Sequence, residues 1–311
     1  MKRTSAPARP IRRALTVLPG VAVAGLVAAG LVAGGPVAAP ASAQTLTDSV
    51  TVNATSGLGT IPADAVGLNT AVYDGYMNDT PIPGLLKAAG IDALRYPGGS
   101  YSDIYNWQTQ TAVEGGFVAP NTSFANFMTT ANGAGAQPII TVNYGTGTPS
   151  LAASWVTAAA SNSVGYWEVG NEVYGNGTYG ANWEADSHCD TSPSGGPVTI
   201  GSEPSQTYNC GPGTYAAEVA KYISAMHAAN SNAKVCAILT TPGFWPDGVT
   251  NSQTSPQPWN QTVLTDLGSS VQCVIVHYYP GGSSAAGMLT DPAGIAGIVS
   301  TLRSEITQWP G

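Results

Sequence analysis

Basic residues are scarce in this chain. Of its 311 residues, ten are Lys or Arg and three are His, against eighteen Asp and Glu. Nucleic-acid-binding proteins need clusters of Lys and Arg that neutralise phosphates, and a chain with so few cations lacks that surface. The histidines, His188, His227 and His277, do not show the spacing of metal ligands. We therefore predict no nucleic-acid partner and no metal site.

One catalytic motif and one phosphate-binding motif are also missing. The Gly-x-Ser-x-Gly pattern that marks many hydrolases with a Ser nucleophile does not occur. The glycine pattern that binds phosphates in nucleotide-binding folds does not follow the first predicted strand. A serine hydrolase is therefore a weak hypothesis, and we expect no cofactor.

The basic residues that do occur are concentrated at the N-terminus. Five of the ten precede an apolar run from Ala14 to Ala39, which ends at the small-x-small sequence Ala41-Ser42-Ala43. Gly and Pro interrupt the run and no second apolar span follows, which favours a cleaved signal over a membrane anchor. We predict a secretory signal peptide over residues 1–43 and a secreted, extracellular protein without membrane contact after cleavage. Since no acidic residue lies in the signal, residues 44–311 carry a formal charge of −13, and neutral glycans fit such a protein better than phosphates do.

Cysteine is used only four times, in a way that suits an oxidising compartment. Cys189 and Cys210 bracket a loop rich in Gly, Pro, Ser and Thr, and we predict a disulfide between them. This loop, residues 175–213, is long enough to predict a functional role. Cys236 and Cys273 occupy similar places in two short apolar strands. They would bond if those strands are neighbours, or else remain two buried thiols.

Short apolar runs alternate with segments of helical periodicity in residues 44–311, which is typical of a parallel sheet with crossover helices. The apolar runs are 65–72, 93–96, 138–143, 165–169, 234–239 and 271–277, and the helical segments are 83–89, 123–133, 150–161, 214–230, 259–268 and 292–308. The length suits a single barrel domain, but a closed barrel needs eight βα units. We predict an α/β fold of the TIM (β/α)8-barrel type, truncated after about six βα units.

The fourth predicted strand carries the strongest functional signal. It runs Trp167-Glu168-Val169-Gly170-Asn171-Glu172, so Asn171 and Glu172 fall at the strand's carboxyl end, where barrel enzymes keep their chemistry. Glycoside hydrolysis needs a carboxylic acid that protonates the leaving oxygen, and a neighbouring amide can hold a sugar hydroxyl. Glu172 could instead only cap the following loop. Strand alternation places Glu168 deeper on the same side, where we expect Arg95 to pair with it.

Polar residues also follow three other predicted strands, where packing alone would favour Val and Ile. These ends are Leu94–Gly99, Thr141–Thr148 and Val276–Tyr279. Together with Trp167–Glu172, and in this order, they resemble the α-L-arabinofuranosidases of glycoside hydrolase family 51 and related retaining glycosidases of the same barrel clan, clan A. The resemblance implies that Glu172 is the general acid/base and that Asn171 contacts the sugar 2-hydroxyl. It also implies that Arg95, His277 and Tyr279 line the sugar site or orient the nucleophile, and we expect Asn143 to bind substrate beside them.

The sequence departs from the family's pattern at three places. The family's nucleophile is a Glu that ends the seventh strand, yet no such strand follows Gln308, and Glu305 lies inside a predicted helix. The family's substrate-binding Glu is missing after the first strand, at Asn69-Thr70. Ser100 stands where the family usually has Asn.

Two functions follow from these observations. The first is a secreted retaining glycosidase, arabinofuranosidase-like, that acts on plant-cell-wall polysaccharide and is weakly active or inactive in this truncated form. The alternative is a non-catalytic protein that binds cellulose or hemicellulose through a glycosidase-like barrel.

Overall fold

The computed structural model describes residues 62, 64–176, 183–188, 211–248, 258–279, 281, 284, 286, 287 and 294–309, all of which belong to the unit Leu58–Gly311. The predicted signal peptide and the predicted Cys189–Cys210 disulfide lie outside these residues.

Six parallel strands form one sheet. They are β1 (Gly67–Asn69), β2 (Ala93–Tyr96), β5 (Gln137–Val142), β6 (Tyr166–Val169), β7 (Val235–Ile238) and β8 (Cys273–Ile275), in that spatial order. Between β2 and β5 a small antiparallel hairpin pairs β3 (Tyr105–Asn106) with β4 (Thr111–Ala112). Because consecutive strands of the sheet are neighbours, the sheet winds in one direction, as in a TIM barrel, whereas a doubly wound sheet reverses its order part-way. The predicted barrel-type fold with six strands is confirmed for the described residues.

Six helices are described, close to the six predicted segments. They are α1 (Ile82–Ala88), α2 (Phe124–Ala134), α3 (Pro149–Ala158), α4 (Pro212–Ala229), α5 (Trp259–Leu267) and α6 (Ile295–Gln308). The starts of α2 and α3 follow local rules, since the side chains of Ser123 and Thr148 accept hydrogen bonds from backbone N–H groups three residues on. None of the described helices is long and apolar enough to cross a membrane.

The core lies between the sheet and its helices and is rich in aromatic rings. Tyr96 of β2 stacks on Phe127 of α2, with ring centroids 4.7 Å apart, and meets Trp155 of α3 edge-on. In α4 a stripe of Tyr, Val, Ile and Met side chains is buried, as its helical spacing predicts. This packing holds the inner strands of the sheet firmly against the helices.

The sheet changes in burial from its middle to its ends. Every residue of β2 and β7 is buried, whereas β1 is exposed and β8 is of intermediate burial. A disulfide joins Cys236 of β7 to Cys273 of β8, which are register partners with Cα atoms 4.4 Å apart. Of the two alternatives for these cysteines, the bonded one is thus correct.

Candidate active site

A cleft of about 450 Å³ lies at the carboxyl ends of the strands. Four elements contribute to it: β1, β2 with the turn after it, β6 with the turn after it, and β8 with its continuation. The lining residues are Asn69, Arg95, Gly99, Ser100, Glu168, Asn171, Glu172, Ile275, Val276, His277, Tyr278 and Tyr279. Five of the six residues predicted for catalysis or substrate binding are therefore brought together here.

Glu172 reaches the cleft through a turn. Strand β6 ends at Val169, and both Gly170 (φ 83°) and Glu172 (φ 41°) adopt the left-handed conformation before a short 3₁₀ turn begins at Val173. A left-handed backbone is strained for a residue with a Cβ, and such strain is concentrated at functional sites. The strand stops three residues before Glu172, so a turn and not strand alternation places Glu172, although Glu168 does lie deeper in the same cleft, as predicted. The turn, which needs glycine at 170, places the carboxyl group.

His277 holds the carboxyl group of Glu172. Its Nδ1 lies 2.7 Å from Glu172 Oε1, and both side chains are about 20% exposed. His277 follows β8, two strands away from β6 in the sheet, so this hydrogen bond spans the cleft. Tyr279, two residues further on, also lines the cleft and is 78% exposed. This arrangement leaves Glu172 reachable by solvent and by a ligand.

On the cleft floor, Arg95 pairs with Glu168. The Arg95 Nε donates to Glu168 Oε2 at 2.5 Å, and Thr141 Oγ1 donates to the same oxygen at 2.6 Å. Both charged side chains are at most 10% exposed. The expected pairing is confirmed, and it gives Glu168 a structural task, because a buried carboxylate is stable only with such partners.

Asn171 is held at three points. Its backbone N–H donates to Asp103 Oδ2 at 2.9 Å, its Oδ1 accepts from Arg95 Nη2 at 3.0 Å, and its Nδ2 donates to Glu184 Oε1 at 3.1 Å. A carboxamide nitrogen has two hydrogens. One N–H of Asn171 therefore has no partner among the described residues, and Asn171 lines the cleft.

Two buried carboxyl groups behind the cleft, Asp103 and Glu184, were not predicted. Asp103 accepts from the backbone N–H groups of Tyr144, Gly145 and Asn171, and burial, against these donors, raises its pKa to about 7. Burial and then the nearby charge of Asp103 raise the pKa of Glu184 to about 10. Asp103 follows the segment Arg95–Gly99 closely, and the chain has only eighteen acidic residues in 311. Its position could therefore have marked it as a candidate in the sequence. Glu184 lies in the long loop, where no pattern singles out any residue.

Asn143 has a different place from the one expected. It is absent from the residues that line the cleft, and its amide closes the turn after β5. Its Nδ2 donates to the backbone oxygen of Tyr105 and to Thr146 Oγ1, while its Oδ1 accepts from the N–H groups of Thr146 and Gly147. With these bonds formed, the amide supports the strand end, and the structure does not bring it to the predicted substrate site.

Solved structures of similar fold exist, although no protein-family model and no curated protein matches the sequence. The chain superposes on an arabinofuranosidase with a TM-score of 0.56 at 17% identity, covering 79% of this chain and 52% of that one. The family 51 α-L-arabinofuranosidase AbfB of Bifidobacterium longum gives 0.54 at 19% identity (80% and 52% covered), and the α-L-arabinofuranosidase of Thermotoga maritima gives 0.54 at 18% (78% and 51%). The structure resembles family 51 arabinofuranosidases. At these identities the likeness shows the fold, and the chain spans about half the length of each relative.

Carboxylates in the cleft are few. Among the described lining residues only Glu168 and Glu172 are acidic, and Glu168 is engaged by Arg95. Glu305 lies in α6, as predicted, where its Oε2 accepts from Asn260 Nδ2 at 3.0 Å and burial raises its pKa. In the part of the chain that the structure describes, no group of three or more His, Cys, Asp and Glu side chains is arranged to hold a metal ion. Acid–base chemistry at Glu172 is therefore what the described cleft can offer.

Proposed function

We propose that this protein is a retaining glycoside hydrolase that acts on arabinofuranose-containing plant-cell-wall polysaccharide, with Glu172 as its general acid/base. The observation that carries the proposal is the position of Glu172. Its carboxyl group lies at the carboxyl end of a barrel-type sheet, in a strained turn, hydrogen-bonded to His277 and open to the cleft.

In the proposed reaction the Glu172 carboxylic acid donates its proton to the oxygen of the leaving group, and its carboxylate later accepts a proton from the attacking water. His277 holds the carboxyl group in place through both steps. Asn171 offers its remaining N–H to the sugar 2-hydroxyl, and Arg95 fixes the amide from behind. Retention also needs a second carboxylate about 5–5.5 Å from the first. Since Glu168 is engaged, that nucleophile would come from outside the described residues.

The test is Glu172→Gln, which keeps the shape of the side chain and removes its proton. Hydrolysis of arabinosides with poor leaving groups should fall by about 10²- to 10⁴-fold, the range that general acid catalysis supplies, whereas the first step with an activated aryl arabinoside should suffer much less. Glu218→Gln is the matched control and should change neither rate, because Glu218 pairs with Lys221 on α4 and does not line the cleft. Equal losses on both substrates would mean a structural role for Glu172, and no loss would remove it from the mechanism.

A second function is favoured by the scarcity of carboxylates in the cleft. With one available carboxylate, the described site could bind a cellulose or hemicellulose chain without cleaving it. Calorimetry with xylan- and cellulose-derived oligosaccharides would distinguish the two functions. Binding without product formation, unaffected by Glu172→Gln, would support the binding protein and contradict the hydrolase.

We also propose that the protein is secreted after cleavage behind Ala43. The basic N-terminal residues, the apolar run and the small-x-small site support this. N-terminal sequencing of the exported protein should begin at Gln44, and retention of the first 43 residues would contradict it.

A further inference from the structure

Glu184 is a buried acidic residue behind the cleft. Its side chain is buried, with 1% of the residue exposed, and it lies against two residues that line the cleft. Its Oε1 accepts from Ser100 Oγ at 2.5 Å and from Asn171 Nδ2 at 3.1 Å. Its Oε2 is buried and has no hydrogen-bond partner among the described residues. One oxygen therefore does all of the bonding.

This pattern fits a neutral acid better than an anion. A buried carboxylate needs partners for both oxygens, and leaving Oε2 without one costs more for an anion than for the O–H group of a neutral acid. The charges around Glu184 act in the same direction. Asp103 and Glu172 repel a negative charge at this position, and Arg95, which bonds the same Asn171 amide, is already paired with Glu168. Tyr174 also faces the group, and a charge on Glu184 would raise its pKa further.

We propose that Glu184 is a positioning residue that acts as a neutral carboxylic acid and holds the Asn171 carboxamide so that its remaining N–H faces the substrate hydroxyl. The proposal rests on the proposed function, and it adds a residue to that site. Arg95 fixes the oxygen of the carboxamide and Glu184 fixes its nitrogen, so the amide cannot flip. Ser100 completes the arrangement, because its short side chain leaves room for the Glu184 carboxyl group and donates to it.

Two variants separate the parts of this proposal. Glu184→Gln keeps a carbonyl oxygen for Ser100 and Asn171 and carries no charge, so it mimics the neutral acid. Glu184→Leu keeps the volume and removes the acceptor. Asp186→Asn is the control within the same buried segment, since Asp186 bonds Asn176 and His188 and makes no hydrogen bond to Asn171.

The measurement compares kcat/KM for p-nitrophenyl α-L-arabinofuranoside and for its 2-deoxy analogue, which lacks the hydroxyl that Asn171 would contact. Glu184→Leu should lose about 10- to 100-fold on the parent substrate, the cost of a misplaced polar contact, and less than about threefold on the analogue. Glu184→Gln and Asp186→Asn should keep the wild-type ratio between the two substrates. Equal losses of Glu184→Leu on both substrates would reduce Glu184 to a packing residue, and a loss in Glu184→Gln as large as in Glu184→Leu would show that a charge is needed.

A stability measurement tests whether Glu184 is a neutral acid, and it does not depend on enzymatic activity. The pKa of Glu184 is raised from 4.5 to about 10 by folding, so between these values the folded protein holds a proton that the unfolded chain releases. The free energy of unfolding of the wild type should therefore fall as pH rises from about 5 to about 9. Its slope against pH should exceed that of Glu184→Gln, in which this group does not titrate, by the equivalent of up to about one proton. Identical pH slopes would overturn the neutral acid. An inactive wild type with the expected difference in slope would contradict the proposed function alone.

Discussion

The β2 and β6 side of the cleft is dry and connected, whereas the β8 side is open. Arg95, Glu168 and Asn171 are each at most 9% exposed and bonded to one another in a chain, while His277 is tied to the opposite side by its bond to Glu172, and Tyr279 is 78% exposed. This difference would suit the proposed reaction, in which one side would hold the sugar in a fixed geometry and the other would exchange protons and product with solvent. Preorganised polar groups are most effective where water is excluded.

The largest effect on stability is expected from removing the cation of the buried β2 and β6 side. Arg95→Met leaves Glu168 buried without its counter-ion and frees the Asn171 oxygen, so it should lower the free energy of unfolding by about 3–5 kcal/mol. Urea denaturation measures this loss. Arg303→Met, on the exposed face of α6, is the control and should change stability by less than about 0.5 kcal/mol. A similarly small loss for Arg95→Met would show that the buried network contributes little.

The β8 side is also fastened to the rest of the sheet by the disulfide from β7 to the outer strand β8. Replacing Cys236 and Cys273 together with Ala should cost about 2–4 kcal/mol, because the bond closes a loop with a sequence separation of 37. Thermal unfolding with and without a reducing agent checks it. The reducing agent should destabilise the double variant less than the wild type, because the variant lacks this bond. An equal effect of the reducing agent on both proteins would contradict the prediction.

On the open side, His277 should matter for rate more than for stability. His277→Ala should lower kcat about tenfold, a fraction of the 10²–10⁴ that acid–base catalysis supplies. His277→Asn should recover part of the loss, since its Nδ2 can occupy the position of Nδ1. His227→Ala, on α4, is the control and should leave kcat unchanged. A loss of stability that matches the loss of rate would mean that His277 only packs.

The smallest effect is expected at Tyr279. Because the side chain is mostly exposed, Tyr279→Ala should change the free energy of unfolding by less than about 0.5 kcal/mol. KM for an oligosaccharide should rise severalfold if the ring contacts sugar. Chemical denaturation of this variant measures the change in the free energy of unfolding, and steady-state kinetics measure the change in KM. A destabilisation above about 1 kcal/mol would show that the open side is part of the core after all.

Much of the fold was predictable because its signals are local. Alternating apolar runs and helical stripes depend on residues a few positions apart, and the six predicted strands and six predicted helices are all found. The pairing of Glu168 with Arg95 was also predictable, because a buried carboxylate needs a cation and the chain has few. The expectation for Asn143 did not come from such a requirement, and its amide turned out to hold a turn.

The sequence by itself determined the strands, the helices and the set of polar residues at the strand ends, because periodicity and turn residues act within one segment of chain. Only the tertiary structure decided how Glu172 reaches the cleft, since the left-handed turn fits against Tyr144 and Val173 and meets His277, 105 residues away. It alone brought Glu184 to Ser100, 84 residues away, and paired Cys236 with Cys273 through the strand register. These contacts join segments distant in sequence, and their partners are chosen by the packing of the whole sheet, which no local pattern records.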